Sequence, residues 1–181
     1  MFLRSLAAAT CCALLTTASF ARMGNMQPDA KAPLSPPATA EVSLNGKQVT
    51  IHYNSPRIKG RTVGVEVAPY GKIWRTGANP ATTLITAGNL KIGTLSVPAG
   101  TYTIYTLPNS NQWLLIINKQ TGQWGTEYSE SKDLGRTPMQ GKTLPSSQEN
   151  MTISFEHTQG GSTELHVKWA TTDEYVIVHA E

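Results

Sequence analysis

From Glu41 onward, apolar residues recur at every second position in short runs separated by Gly, Pro and Asn. Val42-Ser43-Leu44 and Val49 to Tyr53 alternate in this way. Asn45-Gly46 between them supplies the two positive φ angles of a type I′ hairpin turn. Val49, Ile51 and Tyr53 then share one face, with Thr50 and His52 on the other. Leu84-Ile85-Thr86, Leu90-Lys91-Ile92 and Leu95-Ser96-Val97 read as short strands. Thr101 to Leu107 is a run of Thr, Tyr and Ile that suits a pleated surface. Trp113 to Ile117 is continuously apolar, which predicts a central strand covered on both faces. Gln120 to Ser147 holds Gly122, Trp124, Gly125, Gly135, Pro138 and Pro145, and reads as a long loop-rich stretch. Met151 to His157 predicts a strand with Met151, Ile153 and Phe155 inward. Gly160-Gly161 turns it into Thr163 to Trp169, where Leu165, Val167 and Trp169 alternate with Glu164, His166 and Lys168. Tyr175 to His179 closes the domain. No stretch carries a helical stripe. Many short strands joined by Gly/Pro turns predict an all-β antiparallel sandwich, with a β-barrel as the alternative.

The N-terminus follows a different pattern. Arg4, the apolar run Leu6 to Thr17 and the small-x-small triplet Ser19-Phe20-Ala21 predict a signal peptide cleaved after Ala21. The run is too short and Ala/Thr-rich for a membrane span, so no span is expected after cleavage. Cys11 and Cys12, the only cysteines, would leave with residues 1–21. A chain without thiols then excludes thiolate metal sites and cysteine nucleophiles. The expected location is periplasmic or secreted. Residues 22–40 are rich in Pro, Ala and Met and read as a disordered tether; residues 41–181 read as one domain. The full chain carries 15 basic and 12 acidic residues, a formal charge of +3, too weak to argue for nucleic acid or a lipid surface.

The segment Pro69 to Pro80 concentrates candidate chemistry. Arg75 offers a planar donor fork for carboxylate, phosphate or vicinal hydroxyls. Tyr70 and Trp74 offer flat faces for stacking on a sugar or a partner. Lys72 and Asn79 add a cation and an amide. On a regular strand Trp74 and Arg75 would face opposite ways, so a shared pocket requires a bend. The loop Asn118 to Tyr128 adds Trp124. Lys132 to Arg136 reads as a charged turn. His52, His166 and His179 fall on strands, and His157 falls on the apolar face of its own. With no His-x-His, no HExxH and no His/carboxylate cluster, no metal site is expected. No nucleophile elbow or phosphate loop occurs. Glu66, Glu127, Glu130 and Asp133 are the acids available for hydrolysis.

Pro69-Tyr70-Gly71-Lys72-Ile73-Trp74-Arg75-Thr76-Gly77-Ala78-Asn79, followed by Ala81-Thr82-Thr83, resembles the signature of the bacterial exported family called domain of unknown function 2911. The likeness continues through Val97 to Tyr102, Ile116 to Gly125 and Asp133 to Arg136, and spans about Glu41 to Tyr175. The resemblance implies an exported, β-rich protein and no particular activity. The family pattern usually has Glu where this chain has Pro80, and a small or apolar residue where it has Glu66. Both departures weigh against catalysis.

The expected function is a non-catalytic binding domain of the bacterial cell envelope. Its ligand would be a small molecule, a glycan or an envelope protein, held by Tyr70, Lys72, Trp74, Arg75, Asn79 and Trp124 without a cofactor. The alternatives are a structural or assembly domain, or an extracytoplasmic hydrolase using Glu127 or Asp133 beside Arg75.

Overall fold

A computed structural model describes residues 34–181, which lie within one compact unit, Ala32–Glu181. The expected signal peptide, residues 1–21, and the first part of the expected tether, residues 22–33, lie outside the described residues. Ten strands make two antiparallel sheets, and neither closes into a barrel. The first sheet runs in the order β1 (Pro37–Leu44), β2 (Lys47–Asn54), β3 (Thr82–Thr86), β6 (Gly100–Leu107), β7 (Leu114–Asn118) and β8 (Asp133–Pro138). The second runs β5 (Leu95–Val97), β4 (Leu90–Ile92), β10 (Ser162–Ala180) and β9 (Gln140–Gln159). The fold is a β-sandwich. No described helix is long and apolar enough to cross a membrane.

The alternating residues make the core. Leu44, Ile51, Leu84, Ile104, Leu115 and Ile117 from the first sheet meet Leu90, Ile92, Met151, Ile153, Leu165 and Val178 from the second. The first hairpin forms as its turn requires: Leu44 pairs with Lys47, with Asn45 at φ 49° and Gly46 at φ 76°. β1 begins at Pro37, so residues 37–40, expected in the tether, pair with β2 instead. Ala38 stands opposite Tyr53 and Ala40 opposite Ile51.

The stretch expected to be loop-rich holds a further strand and much of another. β8 and the first half of β9 form there because each is an edge strand. β8 pairs only with β7, and β9 only with β10. An edge strand tolerates Gly135, Pro138 and Pro145, since one side needs no ladder partner. Gly135 is also required for packing, because a Cβ there would meet Leu95 Cδ2 at 2.5 Å. The first half of β9 is mostly exposed and polar, so no alternation marks it.

The continuously apolar β7 is covered on both sides. Leu115 and Ile117 enter the core, while Ile116 is fully buried outside the main apolar cluster. Residues 119–132 lie across that second face and are pinned to it by polar contacts. Gln123 Nε2 donates to Tyr105 Oη at 3.0 Å and to Thr103 Oγ1 at 3.2 Å. Tyr105 Oη donates to the Glu127 carbonyl at 3.0 Å. Asn118 Nδ2 donates to the Ser129 carbonyl and to Asp133 Oδ1.

β10 breaks its own alternation. Leu165, Val167 and Trp169 point inward, and so do Val176 and Val178. The inward parity therefore switches from odd to even. The register shifts twice between Lys168 and Thr172, with Ala170 at φ 50°, which is how a bulge reverses the facing of the residues beyond it.

Ile116→Ala tests the cover over β7. Loss of a fully buried Ile side chain costs about 2–5 kcal/mol, so chemical denaturation is expected to show a loss in that range. A loss under about 0.5 kcal/mol, the value for an exposed site, would show that the face is open.

Candidate functional site

The Pro69 to Pro80 segment crosses one end of the sandwich and joins the first sheet through a single bridge, Trp74 to Thr106. Trp74 is half-buried. It stacks on Trp169 with ring centroids 5.7 Å apart at 13° and meets the edge of Trp113 at 6.1 Å and 88°. Its indole therefore seals the core more than it offers a free face. Arg75 is half-exposed and, among the described residues, forms no ion pair. It borders a cleft of about 370 Å³ with Trp74, Ile73, Thr126 and Tyr128. Trp74 pairs with Thr106 in regular antiparallel fashion, and the chain leaves that geometry only after Arg75. The segment turns at Thr76, φ 51°, and both residues border that cleft.

The two loops singled out in the sequence do meet. The Ala81 N–H donates to the Gln123 carbonyl at 3.3 Å, and Gly125 N–H to the Asn79 carbonyl at 3.1 Å. Pro80, where the family pattern usually has Glu, bridges to Trp124. A Cβ on Gly125 would stand 2.7 Å from the Asn79 carbonyl oxygen, so this close approach needs glycine. Trp124 is half-exposed at the surface and borders none of the clefts described here. Asn79 borders a second cleft beyond Arg75. Lys72 is exposed and stands apart from these clefts.

Asp133 and Arg136, expected in a charged turn, belong to β8 and form a clamp. Arg136 donates from Nε and Nη2 to Asp133 Oδ2, both at 3.0 Å, and from Nη2 to Glu130 Oε1 at 2.7 Å. Tyr128 Oη donates to the same Asp133 oxygen at 2.7 Å. Burial and this hydrogen bond push the Tyr128 hydroxyl up to about 12. Asp133 thus accepts three hydrogen bonds at Oδ2 and one at Oδ1, from Asn118. Glu66, the other departure from the family pattern, accepts the Thr62 N–H at 2.9 Å and closes a turn.

Tyr70 goes to a different place. It is 47% exposed, and its ring lies across Gly64, φ 88°, where any Cβ would clash with it. One ring face is thereby fixed against backbone while much of the side chain remains open. Tyr70 borders a cleft of about 270 Å³ at the rim between the sheets. The side chains around it are mostly neutral and polar. Asn109, Asn111 and Gln112 come from the β6–β7 turn, and Thr143 and Thr172 from β9 and β10. The buried Trp113 and the Lys142 ammonium complete the lining.

Glu174 also lines this cleft, and no local pattern in the chain marks it. The reversed parity of β10 turns it to the inner side, with only 8% of its surface exposed. A Cβ on its partner Gly141 would stand 2.9 Å from Glu174 Oε1, so the glycine makes room for the carboxyl. No described side chain neutralises it. Burial, with the negative charge of Asp173 next to it, raises its pKa from 4.5 to about 7.

On the outer face of the β9–β10 hairpin a second group of titratable side chains gathers. His166 is almost fully buried. Its Nδ1 lies 2.7 Å from Asp173 Oδ1 and its Nε2 lies 3.0 Å from Glu164 Oε2. The hydrogen bond with His157 holds the Glu164 carboxyl below its usual range. His157 was expected on the apolar face with Phe155. Its φ of 51° breaks the alternation, and its Nδ1 reaches Glu164 Oε2 at 3.0 Å. A His/carboxylate cluster therefore exists where no local spacing announced one, because β10's bend brings Asp173 back to His166.

The raised Glu174 pKa has a defined sign. The folded state holds this proton more tightly than the unfolded chain, so stability falls as pH rises from about 4.5 to about 7. The full shift corresponds to about 3 kcal/mol. Glu174→Gln is expected to stabilise the protein by about 1–3 kcal/mol at pH 8 and by much less at pH 5, read by denaturant melts. An equal effect at both pH values would show that the carboxyl is not held in this environment.

Comparison with known proteins gives a family and no activity. Neither a curated protein nor a solved structure matches the chain. Residues 35–178 match the model described as protein of unknown function, DUF2911. That span includes both clefts and the hairpin cluster, and the chain belongs to the DUF2911 family.

Proposed function

We propose that this protein is a non-catalytic binding domain of the bacterial cell envelope and that the Tyr70–Glu174 cleft is its ligand site. The proposed ligand is hydroxyl-rich, of the glycan class. The observation that carries this reading is the cleft's composition. A fixed, exposed Tyr ring stands beside several neutral amides and hydroxyls, with the Lys142 ammonium and one carboxyl at the edge. Amides and hydroxyls donate and accept in the alternating way that sugar hydroxyls require. An aromatic face suits the apolar side of a pyranose. Glu174 near its midpoint at neutral pH accepts or donates a hydrogen bond without placing a full charge in the site.

The same features speak against hydrolysis here. Cleavage of a glycosidic bond uses two carboxyls flanking the scissile bond. Glu174 is the one acid bordering this cleft, and Asp133 is occupied in its clamp. Arg75 and Trp124 then form a separate surface at the loop junction, suited to an envelope partner. Export by the N-terminal segment supplies the location in this reading.

Titration with a panel of neutral and acidic envelope oligosaccharides, followed by tryptophan fluorescence, tests the proposal, since Trp113 borders the cleft. Saturable quenching or enhancement is expected with at least one of them. Tyr70→Ala is expected to weaken that binding about tenfold, roughly the value of one aromatic contact. Absence of response across the panel would refute the glycan reading. Binding unaffected by both Tyr70→Ala and Asn111→Ala would move the site elsewhere.

A further inference from the structure

The hairpin cluster lies on the opposite face of β10 from the proposed ligand cleft, with Lys142 bordering both, and its geometry is that of a metal-ligand set. His157 Nδ1, Glu164 Oε2 and His166 Nε2 lie within 4.8 Å of one another. Each imidazole nitrogen stands 3.0 Å from the same carboxylate oxygen. The other nitrogen of His166 is taken: Asp173 Oδ1 lies 2.7 Å from Nδ1, and Asp173 is itself buried. That contact holds a proton on Nδ1 and leaves Nε2 facing Glu164, as a second N–H in the imidazolium or as a lone pair in the neutral ring. A lone pair aimed at a carboxylate oxygen is repulsive unless a positive charge lies between them. A carboxylate that fixes the tautomer of a histidine from behind is the usual support of a metal-bound imidazole.

We propose that His157, Glu164 and His166 bind a divalent transition-metal ion of the zinc class. Two imidazole nitrogens and one carboxylate oxygen are borderline donors that this class accepts. Ligands at about 2.0–2.1 Å around a tetrahedral ion stand about 3.3 Å apart, so each 3.0 Å pair needs to open by a few tenths of an ångström, while the two imidazole nitrogens, within 4.8 Å of each other, close on the ion through the exposed His157 side chain. Tyr175 stacks on His166 with centroids 5.0 Å apart at 16°, which holds that ring in place. His157 is exposed, so a fourth position opens to solvent.

The surrounding charge permits a dication. Glu156, Glu164 and Asp173 face Lys142 and Lys168, leaving one negative charge in excess when the imidazoles are neutral. Lys168 is engaged with Glu156 at 2.6 Å. Lys142 is the opposing charge, 3.9 Å from Glu164 Oε2, and it can retreat over the Tyr175 ring, where its Nζ already lies 4.1 Å from the centroid.

The test is zinc titration by calorimetry of the full-length chain after dialysis against a chelator, with bound metal counted by elemental analysis. One zinc per chain is expected at this site. His157→Ala changes an exposed side chain and leaves the buried His166–Asp173 pair intact, so it is expected to fold and to bind at least tenfold more weakly. Glu164→Gln is expected to do the same, and His52→Ala, on an exposed ring far from the cluster in the register, is expected to bind as the parent does. Cobalt in place of zinc is expected to give a visible absorption band that His157→Ala abolishes. No zinc uptake, or uptake equal in the parent and His157→Ala, would overturn the site and leave the cluster as hydrogen bonds between protonated imidazoles and carboxylates.

Discussion

The break in β10 between Lys168 and Thr172 is the constraint on which both candidate sites rest. A strand of this length would otherwise keep one parity from end to end. Here the bulge at Ala170 reverses it. The residues before the break send Leu165, Val167 and Trp169 to the core and His166 outward. Those after it send Val176 and Val178 to the core, carry Glu174 to the inner rim and leave Asp173 outside against His166. One local backbone feature thus builds a cleft on one side of the strand and a histidine–carboxylate cluster on the other.

The second organising feature is the cover over β6 and β7. Thr103, Tyr105, Ile116 and Asn118 are fully buried on the face away from the sandwich core. Residues 119–132 bury them, and the polar groups among them are hydrogen-bonded to that segment, as buried polar groups must be. The exception among the described residues is Gln123 Oε1, which lacks a partner. Its amide cannot simply be reversed, because the Thr103 and Tyr105 hydroxyl protons are already donated to the Gln120 and Glu127 carbonyls. The candidate loop Asn118 to Tyr128 is therefore chiefly a structural strap, with Trp124 as its exposed knuckle. The Trp74–Trp169 stack plays a related part at the end of the sandwich.

Much of the fold was legible in the sequence. The period-two runs of β2 and β10, the Asn45-Gly46 turn and the double-faced apolar run of β7 each carry their own local signal. The first half of β9 was not legible, because an edge stretch with solvent on both faces has no reason to alternate, and β8 was not, because its half-buried positions are Asp, Leu, Gly and Arg without an apolar period. The site was legible only in part. The sequence singled out Tyr70 and Arg75 for their chemistry, and the structure places them in different clefts. Glu174 and His157 were hidden because their facing depends on a bulge and a left-handed φ, which no alternation rule encodes, whereas Glu164 shares a face with His166 as alternation predicts.

Carboxyl-carbon NMR of the glutamates across a pH titration reads the parity reversal most directly. If β10 turns Glu174 into the rim of the sandwich, its carboxyl titrates with a midpoint near 7, well apart from the exposed glutamates. If the strand keeps its parity, Glu174 lies on the solvent face and titrates near 4.5 with the others, and the placement of both sites fails together.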